Sequence, residues 1–364
     1  MMDTNSKLKV SGDIPRPIRW GVLGPAKTAI KRFFPAISAV SPEQKVVAIA
    51  AGRKERGLEK AAAFFSDYAE TPRKFVGDSR FEQLIENPDV DAVYIPLPTA
   101  LHAEWTIKAL EARKHVLCEK PMALSIEELD GIYNAQATSG CIVEENFSYY
   151  LSPLFEYIDT KAIPEIIKEA GSINVHFSFL ATKEHEIRFF KDLGGGSFFD
   201  IGCYGIDIAH RLLKENIETL QVAVEPPKGH MRYWGSGPKD PVDAECVLTA
   251  KSTSGVDVII RTSFCSQRQQ SVLISSESGS CLIPTAFHLS SENPAHTILS
   301  TSENAQNKQF SPFNQHIAIL ESFRKKAKGL NGVSEEQWKH WRRNTHLLES
   351  AGEIVFKQLG LSVS

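Results

Sequence analysis

The sequence predicts a parallel, doubly wound α/β domain over residues 17–144, followed over 145–364 by an α+β domain with a large open, mostly antiparallel sheet. Three observations carry this. From Ile18 to about Cys141, short apolar runs alternate with amphipathic stretches, as strands buried on both faces of a parallel sheet alternate with its helices. Beyond about Asn146, runs of alternating polar and apolar residues follow one another with few helices between them, the mark of strands with one solvated face. A chain of 364 residues also exceeds one domain of ordinary size.

Element by element, Ile18–Leu23 is an apolar run closed by Gly24, hence a strand, and 28–40 is a helix. Residues 45–51 (KVVAIAA) make a second strand, and the Ala-rich 55–65 is helical. Then come a short helix at 81–86, a strand at 92–96 and a helix at 100–112 with apolar residues at helical spacing. His115–Cys118 is a strand, Ile126–Ser139 a helix, and 141–143 opens the next strand. In the second half 153–169 reads as a helix, 172–180 as an alternating strand and 198–213 as a helix. Further strands fall at 219–224, 244–249, 256–264 and 271–275. Residues 284–312, rich in Ser, Asn and Gln, read as irregular, and 315–328 and 335–360 as helices. Residues 1–16, polar and without an apolar signal region, read as a flexible lead-in.

Composition bounds the function. Lys plus Arg is 41 against 44 Asp plus Glu, a net charge of −3, so no bulk charge draws the chain to nucleic acid or an anionic membrane. No apolar stretch approaches the roughly 20 residues that span a bilayer. The six cysteines contain no C-x-x-C pair. That argues against a zinc site and for free thiols in a cytoplasmic protein. The histidines have no ligand spacing, so no metal is expected.

The first strand runs into Gly24-Pro25-Ala26-Lys27-Thr28-Ala29, a G-x-A-x-x-A turn. Small residues there let backbone approach a pyrophosphate at a helix start. An NAD-binding unit usually carries an acid about 20 residues further on, for the ribose 2′-hydroxyl. Here the second strand ends in Gly52-Arg53-Lys54-Glu55-Arg56. Arg53 can grip a 2′-phosphate with paired N–H donors, so NADP is the preferred cofactor, with NAD the alternative.

The turn (GPAKTA), the run AVYIPLPTALHAEWTIKALEARKHVLCEKPMAL, EENF, and DLGGGSFFDIGCYGIDIAHRLL stand in order between residue 20 and about 213. Together they resemble the glucose–fructose oxidoreductase / inositol dehydrogenase family of sugar oxidoreductases. The resemblance implies a Rossmann domain with a nicotinamide cofactor and a second domain whose open sheet joins a homodimer or homotetramer. It places Lys120 of Glu119-Lys120-Pro121 beside the nicotinamide ribose and the substrate. It implies cofactor contacts at Gly24, Ala26, Lys27, Thr28, Gly52, Arg53, Lys54, Leu97, Pro98, Thr99, His102, Glu119, Lys120, Asn146 and Arg188.

In the second motif, Asp200 and Tyr204 are four residues apart and share a helix face. Many relatives carry Asp and His there. Tyr204 instead resembles the glucose–fructose oxidoreductase, pentose dehydrogenase and sugar ketoreductase branches, which argues against an inositol dehydrogenase. Lys120, Tyr204 and Asp200 are therefore the candidate catalytic residues, with Tyr204 trading the proton and Lys120 drawing its pKa down. Asp207, three residues on, can also face the cleft. The reading is an NADP(H)-dependent oxidoreductase of a sugar or sugar-like hydroxyl or ketone. A dehydrogenase of a cyclic diol, a cofactor-sensing regulator and an NAD-dependent glycosidase are the alternatives.

Overall fold

A computed structural model of the chain describes residues 17–361, apart from 52–55, 67–70, 168–170, 183–186, 229–240, 290–294, 302–303 and 330–332. Six parallel strands form the first sheet: β1 (Ile18–Leu23), β2 (Gln44–Ala51), β3 (Arg73–Val76), β4 (Ala92–Ile95), β5 (His115–Cys118) and β6 (Val143–Glu145). Their order is β3-β2-β1-β4-β5-β6. Helices α1 (Phe34–Ala39), α2 (Arg56–Phe64), α3 (Arg80–Ile85), α4 (His102–Glu111) and α5 (Ile126–Ser139) connect them. The order reverses between β1 and β4, and an open α/β sheet binds its ligand at the carboxyl ends of the strands at such a switch point. The sequence reading lacked β3, an edge strand in which only Phe75 is buried, so it offers no apolar periodicity.

The second domain opens with helices α6 (Pro153–Tyr157) and α7 (Ile163–Ile166), joined by a wider helical turn at Ile158–Ala162. The sequence predicts one regular helix over 153–169, and the wider turn interrupts it. The eight-stranded sheet comprises β7 (Ser172–Ser178), β8 (Ile217–Glu225), β9 (Glu245–Ser252), β10 (Asp257–Ser263), β11 (Gln269–Ser276), β12 (Gly279–Ile283), β13 (His296–Thr301) and β14 (Ala305–Gln309). Its order is β14-β13-β12-β11-β7-β10-β9-β8. Only β7 and β10 among these pairs run parallel. Residues 284–312 are thus not irregular throughout, because β13 and β14 lie within them. Every residue of β14 is exposed; a polar edge strand with two wet faces discourages pairing with a second chain and reads as loop.

Three further helices complete the chain: α8 (Cys203–Leu213), α9 (Gln315–Gly329) and α10 (Glu335–Gln358). Helix α8 lies on the inner face of the second sheet. At α9, Ile319, Leu320 and Phe323 pack with Trp20, Phe33 and Tyr94 of the first domain. Helix α10 serves both domains: Trp341 joins the core around β4 and β5, while Leu347, Leu348, Ala351 and Val355 join that of the second sheet.

Between α8 and α10 lies a fully buried carboxylate. Asp207 accepts hydrogen bonds from Tyr149 Oη (2.5 Å), Arg211 Nε (2.8 Å), His340 Nε2 (2.7 Å) and Asn344 Nδ2 (2.9 Å). The side chain is spent on this network, so the expectation that it faces the cleft is corrected. Burial opposes its charge, yet Arg211 and His340 hold it well below the usual carboxylate range. Asp207→Ala leaves Arg211 without its partner in the core and should cost about 3–5 kcal/mol in urea unfolding. The stabilisation is complete above the unfolded Asp pKa of about 3.9 and is lost as pH falls through the lower native value. The gap between native and variant should therefore narrow below about pH 4.

Candidate active site

Four loops meet at the switch point. The first is the turn after β1. Gly24 has φ +87°, a conformation that side chains disfavour, and its N–H donates to Ala50 O (2.9 Å). An added Cβ would stand 3.2 Å from Leu97 Cδ2, so the turn lies against the loop after β4. Ala26 and Thr28 follow, before the helical segment Ala29–Phe33. Gly52, Arg53 and Lys54 lie outside the described residues.

The second loop, Pro96–Thr99, is braced by His102. The buried imidazole stands 2.7 Å from Pro121 O through Nδ1 and 2.8 Å from Leu97 O through Nε2. Both ring nitrogens thus face backbone carbonyls, one of which accepts from the ring N–H, and His102 links the β4 loop to the β5 loop. The third loop carries Glu119 and Lys120, with a cis bond from Lys120 to Pro121. Glu119 Oε1 accepts from Tyr94 Oη (2.5 Å) and Asn146 Nδ2 (2.8 Å). Asn146 Oδ1 is buried and has no partner among the described residues. Buried polar atoms are nearly always paired, so this acceptor suits a polar group of a bound ligand.

The fourth loop comes from the second domain. Gly194, at φ +71°, lets the loop press on the first domain; a Cβ there would lie 2.8 Å from Ala100 N and 2.9 Å from Thr99 Cβ. This close packing brings Asp200 to Lys120, 80 residues away. Lys120 Nζ donates to Asp200 O (2.5 Å) and to Asp200 Oδ1 (3.2 Å). Arg188 Nε donates to Asp200 Oδ2 (2.5 Å). Burial works against the Lys120 charge, but the Asp200 carboxylate holds its pKa above the ordinary lysine value. Burial likewise opposes the Asp200 charge, and Arg188 and Lys120 overcome it, holding the carboxyl well below its usual range. Two cations, Lys120 and Arg188, share the Asp200 carboxylate.

Lys120 Nζ stands 4.9 Å from the centre of the Tyr204 ring. That ring is 7% exposed and packs against Phe147, Phe177, Phe287 and His288, with centroids 5.1–5.8 Å away. Its hydroxyl makes no hydrogen bond to another described residue. The expected lowering of the Tyr204 pKa is corrected: burial dominates and pushes it up, with Lys120 only offsetting part of that rise. The phenol is a neutral donor at pH 7. Sequence reasoning missed His288, which the segment after β12 delivers to the Tyr204 ring.

Comparison with known proteins agrees with this architecture. Residues 18–147 match the oxidoreductase family model with an NAD-binding Rossmann fold, and residues 158–282 match the GFO/IDH/MocA C-terminal domain. The chain belongs to the GFO/IDH/MocA oxidoreductase family. Among curated members, the dTDP-3,4-didehydro-2,6-dideoxy-alpha-D-glucose 3-reductase of Actinomadura kijaniata is 35% identical over 204 residues, 56% of this chain. That alignment spans 58% of the reductase. The D-xylose 1-dehydrogenase (NADP(+)) 2 of Haloferax volcanii is 28% identical over 84% of this chain and 87% of its own. The crystal structure of KijD10, a 3-ketoreductase from the same Actinomadura species in complex with NADP and TDP-benzene, superposes with a TM-score of 0.81. It is 24% identical and covers 92% of this chain and 97% of its own, which establishes the GFO/IDH/MocA fold over both domains.

Proposed function

We propose that this chain is an NADP(H)-dependent oxidoreductase acting on a hydroxyl or ketone carbon of a sugar, with Tyr204 as proton donor and acceptor. The observation that carries the reading is the meeting of an unbonded phenol with the Lys120–Asp200–Arg188 cluster at the switch point. Curated relatives that reduce or oxidise sugars support it. The nicotinamide supplies or takes up the hydride when bound. The site fits that cofactor: Gly24, Ala26, Lys27 and Thr28 would hold its pyrophosphate, with Leu97, Pro98, Thr99, Glu119 and Asn146 toward the nicotinamide end, where Asn146 Oδ1 has no partner among the described residues.

The protein's own part is proton handling and charge. A carbonyl being reduced develops negative charge on oxygen. Lys120 stabilises it in a cleft shielded from water, and the Tyr204 hydroxyl delivers the proton at hydrogen-bond distance. Asp200 holds Lys120 in place, and Arg188 holds Asp200. A screen of sugars and sugar nucleotides, followed by the absorbance of reduced nicotinamide, tests the reading. Turnover with no sugar would refute it.

Arg53 is proposed to hold the 2′-phosphate of NADP. Hydrogen bonds to charged groups are worth about 1.5–3 kcal/mol, so NADP should bind roughly tenfold or more tighter than NAD. Arg53→Ala should erase most of that preference and leave NAD affinity nearly unchanged; equal native affinities would refute it.

The coarser features agree. Among the described residues no helix is long and apolar enough to cross a membrane, and all six cysteines are free, which suits a cytoplasmic protein. Leu273 and Ile298 are exposed on the outer face of the second sheet. Together they support a homodimer or homotetramer formed through that face, which light scattering would detect.

A further inference from the structure

Two buried glutamines pin the segment after β12 beside the active site. Gln270 of β11 is 4% exposed and Gln315 of α9 is 3% exposed. Ala286 N donates to Gln270 O (2.8 Å), and Leu289 N donates to Gln315 Oε1 (2.9 Å), whose amide in turn reaches Ser148 Oγ (3.1 Å). Between these anchors stands His288, half-buried, with its ring 5.8 Å from that of Tyr204 and 5.6 Å from that of Phe177.

The Gln270 amide decides which nitrogen of His288 carries the proton. His288 N lies 3.1 Å from Gln270 Oε1. A backbone N–H can only donate, so the oxygen of the amide is fixed at that position. The amide NH2 then faces Nδ1 at 2.6 Å and donates to it. Nδ1 is therefore the acceptor, and in the neutral ring the proton sits on Nε2. Burial, together with the charges of Arg32, Arg268 and Lys120, keeps the imidazole neutral. Among the described residues nothing accepts from Nε2–H. The ring thus carries an oriented, unused donor next to Tyr204.

We propose that His288 is a specificity residue whose Nε2–H donates to a hydroxyl oxygen on the sugar carbon beside the reacting one, and that Gln270 is the positioning residue that fixes this tautomer. The proposal rests on the sugar oxidoreductase reading above. It supplies what that reading lacks, a neutral protein donor for a substrate hydroxyl, whereas Lys120 and Tyr204 are committed to the reacting oxygen.

The test uses the native protein with NADP+ and two sugars, D-glucose and D-xylose, each beside its monodeoxy forms. His288→Phe keeps the ring and removes the donor. It should lower kcat/KM about tenfold on the parent sugar, as expected for one neutral hydrogen bond. It should have little effect on the deoxy sugar that lacks a hydroxyl beside the reacting carbon. His288→Gln places an amide N–H near the Nε2 position and should restore most of the loss, which a merely structural role would not allow. Gln270→Leu should raise KM, and nitrogen NMR of its histidines should show His288 no longer held in the Nε2–H form. Equal losses on all sugars, or none, would overturn the proposal and leave the functional reading standing. Turnover of no sugar, in this set or in the wider screen, would bring down both.

Discussion

Tyr204→Phe should reduce the rate of ketone reduction by about 10²–10⁴, while NADPH affinity and melting temperature stay close to native. The ring is buried among Phe147, Phe177 and Phe287, and Phe fills that space with the same ring. Only the hydroxyl disappears, and no described residue depends on it for a hydrogen bond. The pH profile follows from the same geometry. Burial pushes the phenol above its ordinary pKa of about 10. It remains protonated through neutral and moderately alkaline pH, so reduction should show no loss from its ionisation below about pH 10. Alcohol oxidation needs the phenolate as acceptor and should rise with pH across that range. A large fall in melting temperature with unchanged turnover per folded molecule would make Tyr204 a packing residue.

Lys120→Met should lower turnover by about 10² or more. Methionine keeps most of the stem and deletes the charge that faces both Asp200 and the Tyr204 ring. Asp200 retains Arg188 at 2.5 Å, so its carboxylate is not abandoned and the fold should persist. Cofactor affinity should change little. The check is single-turnover kinetics at saturating NADPH, which separate the chemical step from binding. Loss confined to KM would assign Lys120 to substrate binding alone.

Much of this site could be read along the chain because its groups sit at strand ends. Gly24, Glu119 and Lys120 each follow an apolar run, and Asp200 and Tyr204 stand four apart in a recognisable motif. What escaped is what long-range packing creates. His288 acquires its tautomer from Gln270 and its neighbours from Phe177 and Tyr204, none nearby in sequence. Asp207 is silent alone; its meaning comes from Tyr149 on one side and from His340 and Asn344 of α10 on the other. The sequence shows the Lys120 charge near Tyr204 but not the burial that outweighs it, so the Tyr204 pKa rises where charge alone predicts a fall. Strand β14 is hidden by its own edge position, which favours the polar residues that loops also favour.

The most direct measurement is a single turnover with NADPH deuterated at nicotinamide C4, a ketosugar acceptor, and mass analysis of the sugar formed. The native protein should place one deuterium on the carbon that bore the carbonyl, and Tyr204→Phe should do so at least about a hundredfold more slowly with NADPH still bound. A product without deuterium from either cofactor face, or transfer at the native rate in Tyr204→Phe, would contradict the account.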